Sequence, residues 1–127
     1  MSSICNVPVS IGELWDKYSI LIIKQNNIQD ENKLKIVKNE LAHLEPLIKQ
    51  YQVTDELYNK LLSVNNFLWD VEDKLRIKEK EQSFDDDFIQ LARKVYFTND
   101  ERSEIKEEIN RMFNSNIFEV KSYVNYK

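Results

Sequence analysis

Apolar side chains recur at alternating steps of three and four residues along most of the chain, which is the spacing of helices that bury one face. The longest row lies between Thr54 and about Lys80. Its members are Leu57, Leu61, Val64, Leu68, Val71 and Leu75. Two further rows lie within residues 11–23 and 34–51. The pattern predicts a mainly α protein in which the long helix after Thr54 organises the packing of the others.

Capping residues indicate where these helices begin. A Ser or Thr three residues before Glu, the capping box, satisfies two free N–H groups at a helix N-terminus. Capping boxes lie at Ser10–Glu13 and Thr98–Glu101, and single capping residues at Asp30, Thr54 and Ser83. We therefore predict about five helices in an up-and-down bundle, the last two beginning after Ser83 and Thr98. Pro46 interrupts the second row and lacks a backbone N–H, so a kink or break is predicted at Glu45.

The two ends of the chain show a different period. Residues 4–9 and 117–126 alternate between apolar and polar positions, as short strands do. One face of the second segment consists of Phe118, Val120, Ser122 and Val124. We expect the two segments to form a short β pair. With 127 residues, 42% of them hydrophobic, residues 1–127 are predicted to form a single helical domain.

Composition narrows the class of protein. The net charge of −4 argues against nucleic acid as a partner, because nucleic-acid binding normally needs a basic face. No apolar run approaches the roughly 20 residues that span a bilayer, and no signal peptide is evident. We expect a cytoplasmic protein that does not bind membranes. The single cysteine, Cys5, allows neither an intrachain disulfide nor a cysteine-based zinc site.

The sequence predicts neither a metal site nor a cofactor. The only histidine, His43, lies on a charged surface without companion ligands. Residues 85–87 are three aspartates, but acids at a helix N-terminus are stabilised by the helix dipole alone. Residues 104–108 contain an E-x-x-E spacing like one half of the magnesium site of helical pyrophosphohydrolases, yet these acids face solvent on the predicted helix.

Six ordered segments resemble one family. They are S-I-G-E-L-W-D-K (Ser10–Lys17), I-L-I-I-K (Ile20–Lys24), L-W-D-V-E-D-K-L-R (Leu68–Arg76), F-I-Q-L-A-R-K-V-Y (Phe88–Tyr96), N-D-E-R-S-E-I-K (Asn99–Lys106) and E-V-K-S-Y (Glu119–Tyr123). The family is a small one of uncharacterised proteins from bacteria and marine metagenomes, a domain of unknown function. Because it has no established activity, the resemblance implies which positions matter rather than what they do. The family's acidic residue at the position of Ile22 is absent here, so no role of that carboxylate is implied.

Polar residues at the margins of the apolar rows coincide with positions that the resemblance selects. Trp69, Glu72 and Arg76 form a row beside the longest seam, and Arg102 and Lys106 lie at the edge of the last stripe. The candidate ligand-binding residues are Lys17, Trp69, Glu72, Arg76, Arg93, Arg102 and Lys106.

Two interpretations of these residues compete. In the first, the charges pair across helices and fix their register, with Trp69 in the core. In the second, arginines bind the phosphate or carboxylate of an anionic small molecule such as a phosphosugar or nucleotide-sugar, and Trp69 stacks on its ring. We predict a non-catalytic structural, assembly or binding module, with the anionic-ligand pocket, catalytic or not, as the alternative.

Apolar surface exceeds what one small bundle covers. Three helices carry long apolar rows, and the first adds a second apolar face with Trp15, Ile20 and Ile23. We therefore expect a homodimer.

Overall fold

The computed structural model describes residues 3–115, 117 and 119–126, and four α-helices account for most of them. They are α1 (Ile11–Asn27), α2 (Glu31–Gln50), α3 (Asp55–Lys80) and α4 (Asp86–Met112). The predicted mainly helical class is confirmed. The predicted β pair of the termini is wrong, since the described parts of residues 4–9 and 117–126 form no strand. Phe118, which belonged to the predicted strand face, lies outside the described residues.

Three predicted helix starts are confirmed by their caps. The side chains of Ser10, Asp30 and Thr54 each accept a hydrogen bond from the backbone N–H three residues later. These bonds satisfy N–H groups that have no partner within the helix.

The predicted count of five helices is wrong because α4 continues through Thr98. Thr98 is buried inside the helix rather than at its start, and neither glycine nor proline occurs between residues 86 and 112. A capping signature without a helix-breaking residue before it does not end the preceding helix. The start after Ser83 is shifted: Asp85 is the cap and accepts from the N–H of Phe88.

The break predicted at Glu45 is also absent, because α2 continues through Pro46 to Gln50. Pro46 lies near the C-terminal end, so a single hydrogen bond to the carbonyl of Ala42 is lost. Both residues are exposed, where water can replace that bond.

Helix α1, rather than the predicted α3, is the centre of the described helices, since it alone lies against all three others. Leu14 and Trp15 of α1 form the main core with side chains from the other helices. Those side chains are Ile48, Leu57, Leu61, Ile105 and Ile109. A second cluster of Leu21, Val37 and Leu41 joins α1 to α2.

The only glycine in the sequence allows α1 to approach α4 closely. A Cβ at Gly12 would lie 2.5 Å from the carbonyl oxygen of Lys106. The N–H of Gly12 donates instead to Asn110 Oδ1 at 2.7 Å. This contact fixes the N-terminus of α1 against the C-terminal half of α4.

The α3–α4 hairpin extends beyond the core. The buried positions of α3 end at Val71 and those of α4 begin at Thr98. Residues 72–97, all described, include no buried residue, and we call them the distal hairpin. Among the described residues, no helix is both long and apolar enough to cross a membrane.

Candidate functional site

A buried carboxylate joins α1 to α4. Asp16 is 1% exposed, and Arg102 donates hydrogen bonds to both of its carboxylate oxygens. Arg102 Nε donates to Asp16 Oδ1 at 2.8 Å, and Nη2 donates to Oδ2 at 2.5 Å. Such a two-point contact between a guanidinium and a carboxylate fixes orientation as well as charge.

The same carboxylate also connects α1 to α3 through Asn65. Asn65 Nδ2 donates to Asp16 Oδ1 at 3.0 Å and to Ser19 Oγ at 2.8 Å. The hydroxyl of Ser19 in turn donates to the carbonyl oxygen of Asp16 at 2.7 Å. Because each donor has an acceptor, the network stabilises the meeting point of three helices without an uncompensated buried charge.

Electrostatics keep Asp16 ionised. Burial alone would raise the pKa of its carboxyl group, but the hydrogen bonds from Arg102 and Asn65 and the nearby positive charges outweigh it and lower the pKa. The hydrogen bond to Asp16 also raises the pKa of Arg102. The pair is therefore fully charged at neutral pH.

A buried lysine, Lys106, lies next to this ion pair. Its Nζ is 2.7 Å from Glu13 Oε2, 2.8 Å from Glu119 Oε2 and 3.8 Å from Asp16 Oδ2. Burial opposes its charge, yet the hydrogen bonds to Glu119 and Glu13 raise its pKa overall. Lys106 of α4 therefore forms ion pairs with the start of α1, at Glu13, and with the C-terminal segment (residues 119–126), at Glu119.

A cavity of about 480 Å³, which we call the α1–α3–α4 cavity, opens beside Arg102. Ile20, Ile23 and Leu68 supply its apolar lining, and the half-buried indole of Trp69 lies among them. The first interpretation places Trp69 in the core, but the buried tryptophan of the core is Trp15. Its indole N–H donates to the carbonyl of Tyr51 at 2.7 Å. Trp69 is thus left facing a cavity.

Several polar groups of the cavity retain hydrogen-bonding capacity. Arg102 Nη1 reaches only Asn99 Oδ1, at 3.4 Å, among the described residues. Asn65 Oδ1 accepts no hydrogen bond from the described part of the chain, although Asn65 is 5% exposed. Arg76 Nη2 lies 3.9 Å from Glu72 Oε2, which is beyond hydrogen-bonding distance. A bound molecule could satisfy each of these groups.

The charges of the lining nearly cancel. Two arginines, Arg76 and Arg102, face two carboxylates, Glu72 and Asp73, and Asp16 is bound behind Arg102. The cavity therefore suits a polar ligand part that carries little net charge.

Of the seven predicted ligand-binding residues, the structure brings four together in this cavity. These are Trp69, Glu72, Arg76 and Arg102. Lys106 is buried among carboxylates, and Lys17 forms an exposed ion pair with Glu40 at 2.8 Å. Arg93 lines a different cavity, which has Asn99 in common with this one. Ligand binding by any of the seven stays a prediction.

Sequence reasoning missed the roles of Ser19, Asn65 and Asn99. Asn65 carried a usable signal, since it lies four residues before Trp69 in the same polar row and three residues before Leu68 of the longest apolar row. Asn99 was marked only by its place in the motif Asn99–Lys106, and Ser19 carried no signal, because its contacts depend on how three helices are rotated against one another. In the described part of the chain, no group of three His, Cys, Asp or Glu side chains is placed to hold a metal ion.

The fold and its polar centre define a helical protein whose three packed helices share one buried ion pair. The chain belongs to a family of unknown function, DUF6165, whose model matches residues 5–126. The predicted membership of a family of unknown function is thereby confirmed. Neither the curated proteins nor the solved structures include a match.

Proposed function

We propose that this protein is a non-catalytic binding module that holds a small molecule in the α1–α3–α4 cavity. One observation carries the proposal: a half-buried tryptophan lies beside polar groups that lack full partners, against a wall in which Arg102 is paired with the buried Asp16. A paired wall is rigid, and rigid polar groups bind a ligand with little loss of conformational freedom.

The lining favours binding over reaction. Asp16, the one buried carboxylate among the described residues, accepts from Arg102 and Asn65 and stays ionised, so it is poorly placed to take up a proton. Glu72 and Asp73 are exposed, where carboxylates readily accept hydrogen bonds from hydroxyl groups.

The proposed ligand carries a ring with several hydroxyl groups. Its apolar face would stack on Trp69, and its hydroxyls would donate to Glu72, Asp73 and Asn65 Oδ1. Arg76 and the Nη1 edge of Arg102 would supply donors. Phosphosugars and nucleotide-sugars contain such a part, and we propose them as the ligand class.

A ligand panel measured by thermal unfolding and tryptophan fluorescence tests the proposal. The panel contains neutral sugars, sugar phosphates, nucleotides and nucleotide-sugars. A ligand at one hundred times its dissociation constant stabilises the fold by about 2.7 kcal/mol, which gives a clear increase in Tm. The fluorescence change should disappear in Trp69→Phe, because Trp15 is buried in the core.

Arg111 offers a matched control for Arg76. Both are exposed helical arginines near a glutamate one turn earlier, at 3.9 Å for Arg76 and 3.8 Å for Arg111, but Arg111 is not part of the cavity lining. Arg76→Ala should reduce the ligand-induced increase in Tm, and Arg111→Ala should retain it. If no compound in the panel changes Tm or Trp69 fluorescence at millimolar concentration, the binding proposal is wrong.

Assembly with a second copy is the second candidate function. The distal hairpin includes no buried residue, and Ile77, Phe84 and Ile89 on it are 55%, 53% and 52% exposed. We propose a homodimer formed by this surface. It is compatible with ligand binding, because Ile77, Phe84 and Ile89 do not line the α1–α3–α4 cavity.

A further inference from the structure

A second and larger cavity lies between α4 and the C-terminal segment. The segment, residues 119–126, passes over the part of α4 around Tyr96 and Asn99 and encloses about 910 Å³, which we call the tail cavity. Each side of it contributes two aromatic rings, Tyr96 and Phe97 from α4 and Tyr123 and Tyr126 from the segment.

The segment is fastened to α4 at both of its ends. At one end Glu119 accepts a hydrogen bond from Lys106 Nζ at 2.8 Å. At the other end the hydroxyl of Tyr126 donates to Asp100, and its ring lies 5.4 Å from that of Phe97, edge to face. The hydrogen bond to Asp100 raises the pKa of Tyr126 to about 12, so the hydroxyl remains a donor at neutral pH. The tail cavity is therefore held open by contacts on either side of it.

Two cations in the tail cavity lack a close carboxylate partner. Arg93 contacts Gln90 Oε1 at 3.3 Å and the ring of Phe97 at 5.9 Å, and no carboxylate among the described residues lies within 4.0 Å of its nitrogens. Lys121 Nζ lies 3.8 Å from Glu119, whose other oxygen binds Lys106 more closely. A guanidinium and an ammonium group that lack a close carboxylate partner are suitable hydrogen-bond donors for a phosphate group.

Asn99 lines both cavities. We infer that the two cavities form one site for a phosphate-bearing sugar, whose ring lies on Trp69 and whose phosphate lies between Arg93 and Lys121. This inference rests on the proposed function of the α1–α3–α4 cavity.

The division of charge between the cavities supports this assignment. The α1–α3–α4 cavity carries balanced charges and suits hydroxyl groups, whereas the tail cavity carries Arg93 and Lys121 against the single carboxylate of Asp100. Asp100 is moreover already bound by Tyr126. An anion therefore gains more from the tail cavity than from the position beside Trp69.

Isothermal titration calorimetry on the full chain, with three classes of probe, measures the contribution of each part of the site to the affinity. The probes are the 1-phosphates of glucose, galactose, mannose and N-acetylglucosamine, the same sugars without phosphate, and inorganic phosphate. At least one sugar phosphate should bind ten times more tightly than its sugar or inorganic phosphate. Arg93→Gln and Lys121→Gln should each weaken sugar phosphate and inorganic phosphate tenfold or more. Trp69→Ala should weaken the sugar phosphate and the neutral sugar, and it should leave the affinity for inorganic phosphate unchanged.

Arg111→Gln and Lys60→Gln are the controls, since both remove an exposed cation outside the two cavities and should change no affinity. Thermal unfolding of every variant checks that it is folded. Sugar-phosphate binding that is unchanged in Arg93→Gln and Lys121→Gln overturns the inference, as does a neutral sugar that binds as tightly as its phosphate. In both cases the proposed function stands, because the ligand still binds at Trp69. If no sugar changes Trp69 fluorescence, the proposed function itself fails, whatever phosphate does at Arg93.

Discussion

Arg102 has different neighbours on the two edges of its guanidinium group. Nε and Nη2 hold the buried carboxylate of Asp16, and Nη1 points towards Asn99 at the cavity. The side chain is therefore both a structural ion-pair partner and part of the proposed binding surface.

Arg102→Ala should destabilise the fold strongly. It would leave Asp16, which is 1% exposed, charged and without its guanidinium partner. Removing one member of a buried ion pair costs about 3–5 kcal/mol. Urea denaturation at pH 7 measures this loss, and Arg111→Ala, an exposed arginine, should change stability by no more than about 0.5 kcal/mol.

The loss should also depend on pH in a defined direction. In the wild type the pKa of Asp16 is below its ordinary 3.8, so this group stabilises the fold above that pH and the stabilisation is lost as pH falls through the folded pKa. In Arg102→Ala the hydrogen bonds and charge of Arg102 no longer offset burial, so the pKa of Asp16 should be higher than in the wild type and its protonation should begin at a higher pH. The stability difference between the two proteins should therefore narrow below about pH 4. If the stability difference between the two proteins did not change with pH, the destabilisation would not come from the charge of Asp16.

The candidate site was only partly predictable from residue spacing. Spacing groups Trp69, Glu72 and Arg76 because residues three and four apart share one helix face, and all three line the α1–α3–α4 cavity. Spacing within a helix does not determine which neighbouring helix that face meets. Lys17 and Lys106 were therefore grouped with the others, although one is paired on the outer surface and the other is buried among carboxylates.

The thickness of the bundle changes along α3 and α4. Leu61 on α3 is fully buried in the core where all four helices contribute side chains, whereas Leu91 on α4 is half-buried in the distal hairpin. Leu61→Ala should cost about 2–5 kcal/mol, as cavities in a closed core do. Leu91→Ala should cost about 1 kcal/mol, because water already reaches the site. Chemical denaturation at submicromolar protein concentration compares the two, and equal losses would contradict a thin distal hairpin.

Local signals predicted the starts of helices better than their continuity. Ser10, Asp30 and Thr54 were recognised because a cap needs one side chain at one position. Thr98 matches the same signature, yet it lies buried within α4, where tertiary packing outweighs local preference. The central position of α1 was not predictable from row length, because it depends on the close approach at Gly12.

The distal hairpin gives the molecule a surface suited to its own second copy. Its two helices bear exposed isoleucines together with nearly equal numbers of acidic and basic residues. Two hairpins related by a two-fold axis would close a four-helix bundle. The half-buried seam residues of this region would then be covered. Those residues are Leu75, Phe88, Leu91, Ala92 and Val95.

Sedimentation at high micromolar concentration tests the proposed homodimer. The wild type should sediment as a dimer, and Ile77→Asp or Ile89→Asp should sediment as a monomer, because a charge would be buried in an apolar contact. Ile36→Asp is the matched control, since Ile36 is 69% exposed on α2, away from the distal hairpin, and its replacement should leave the dimer intact. Unchanged melting temperatures of the diluted variants would show that the substitutions act on association rather than on folding. A wild type that remains monomeric at this concentration, or a dimer that survives both hairpin substitutions, would refute assembly through this surface.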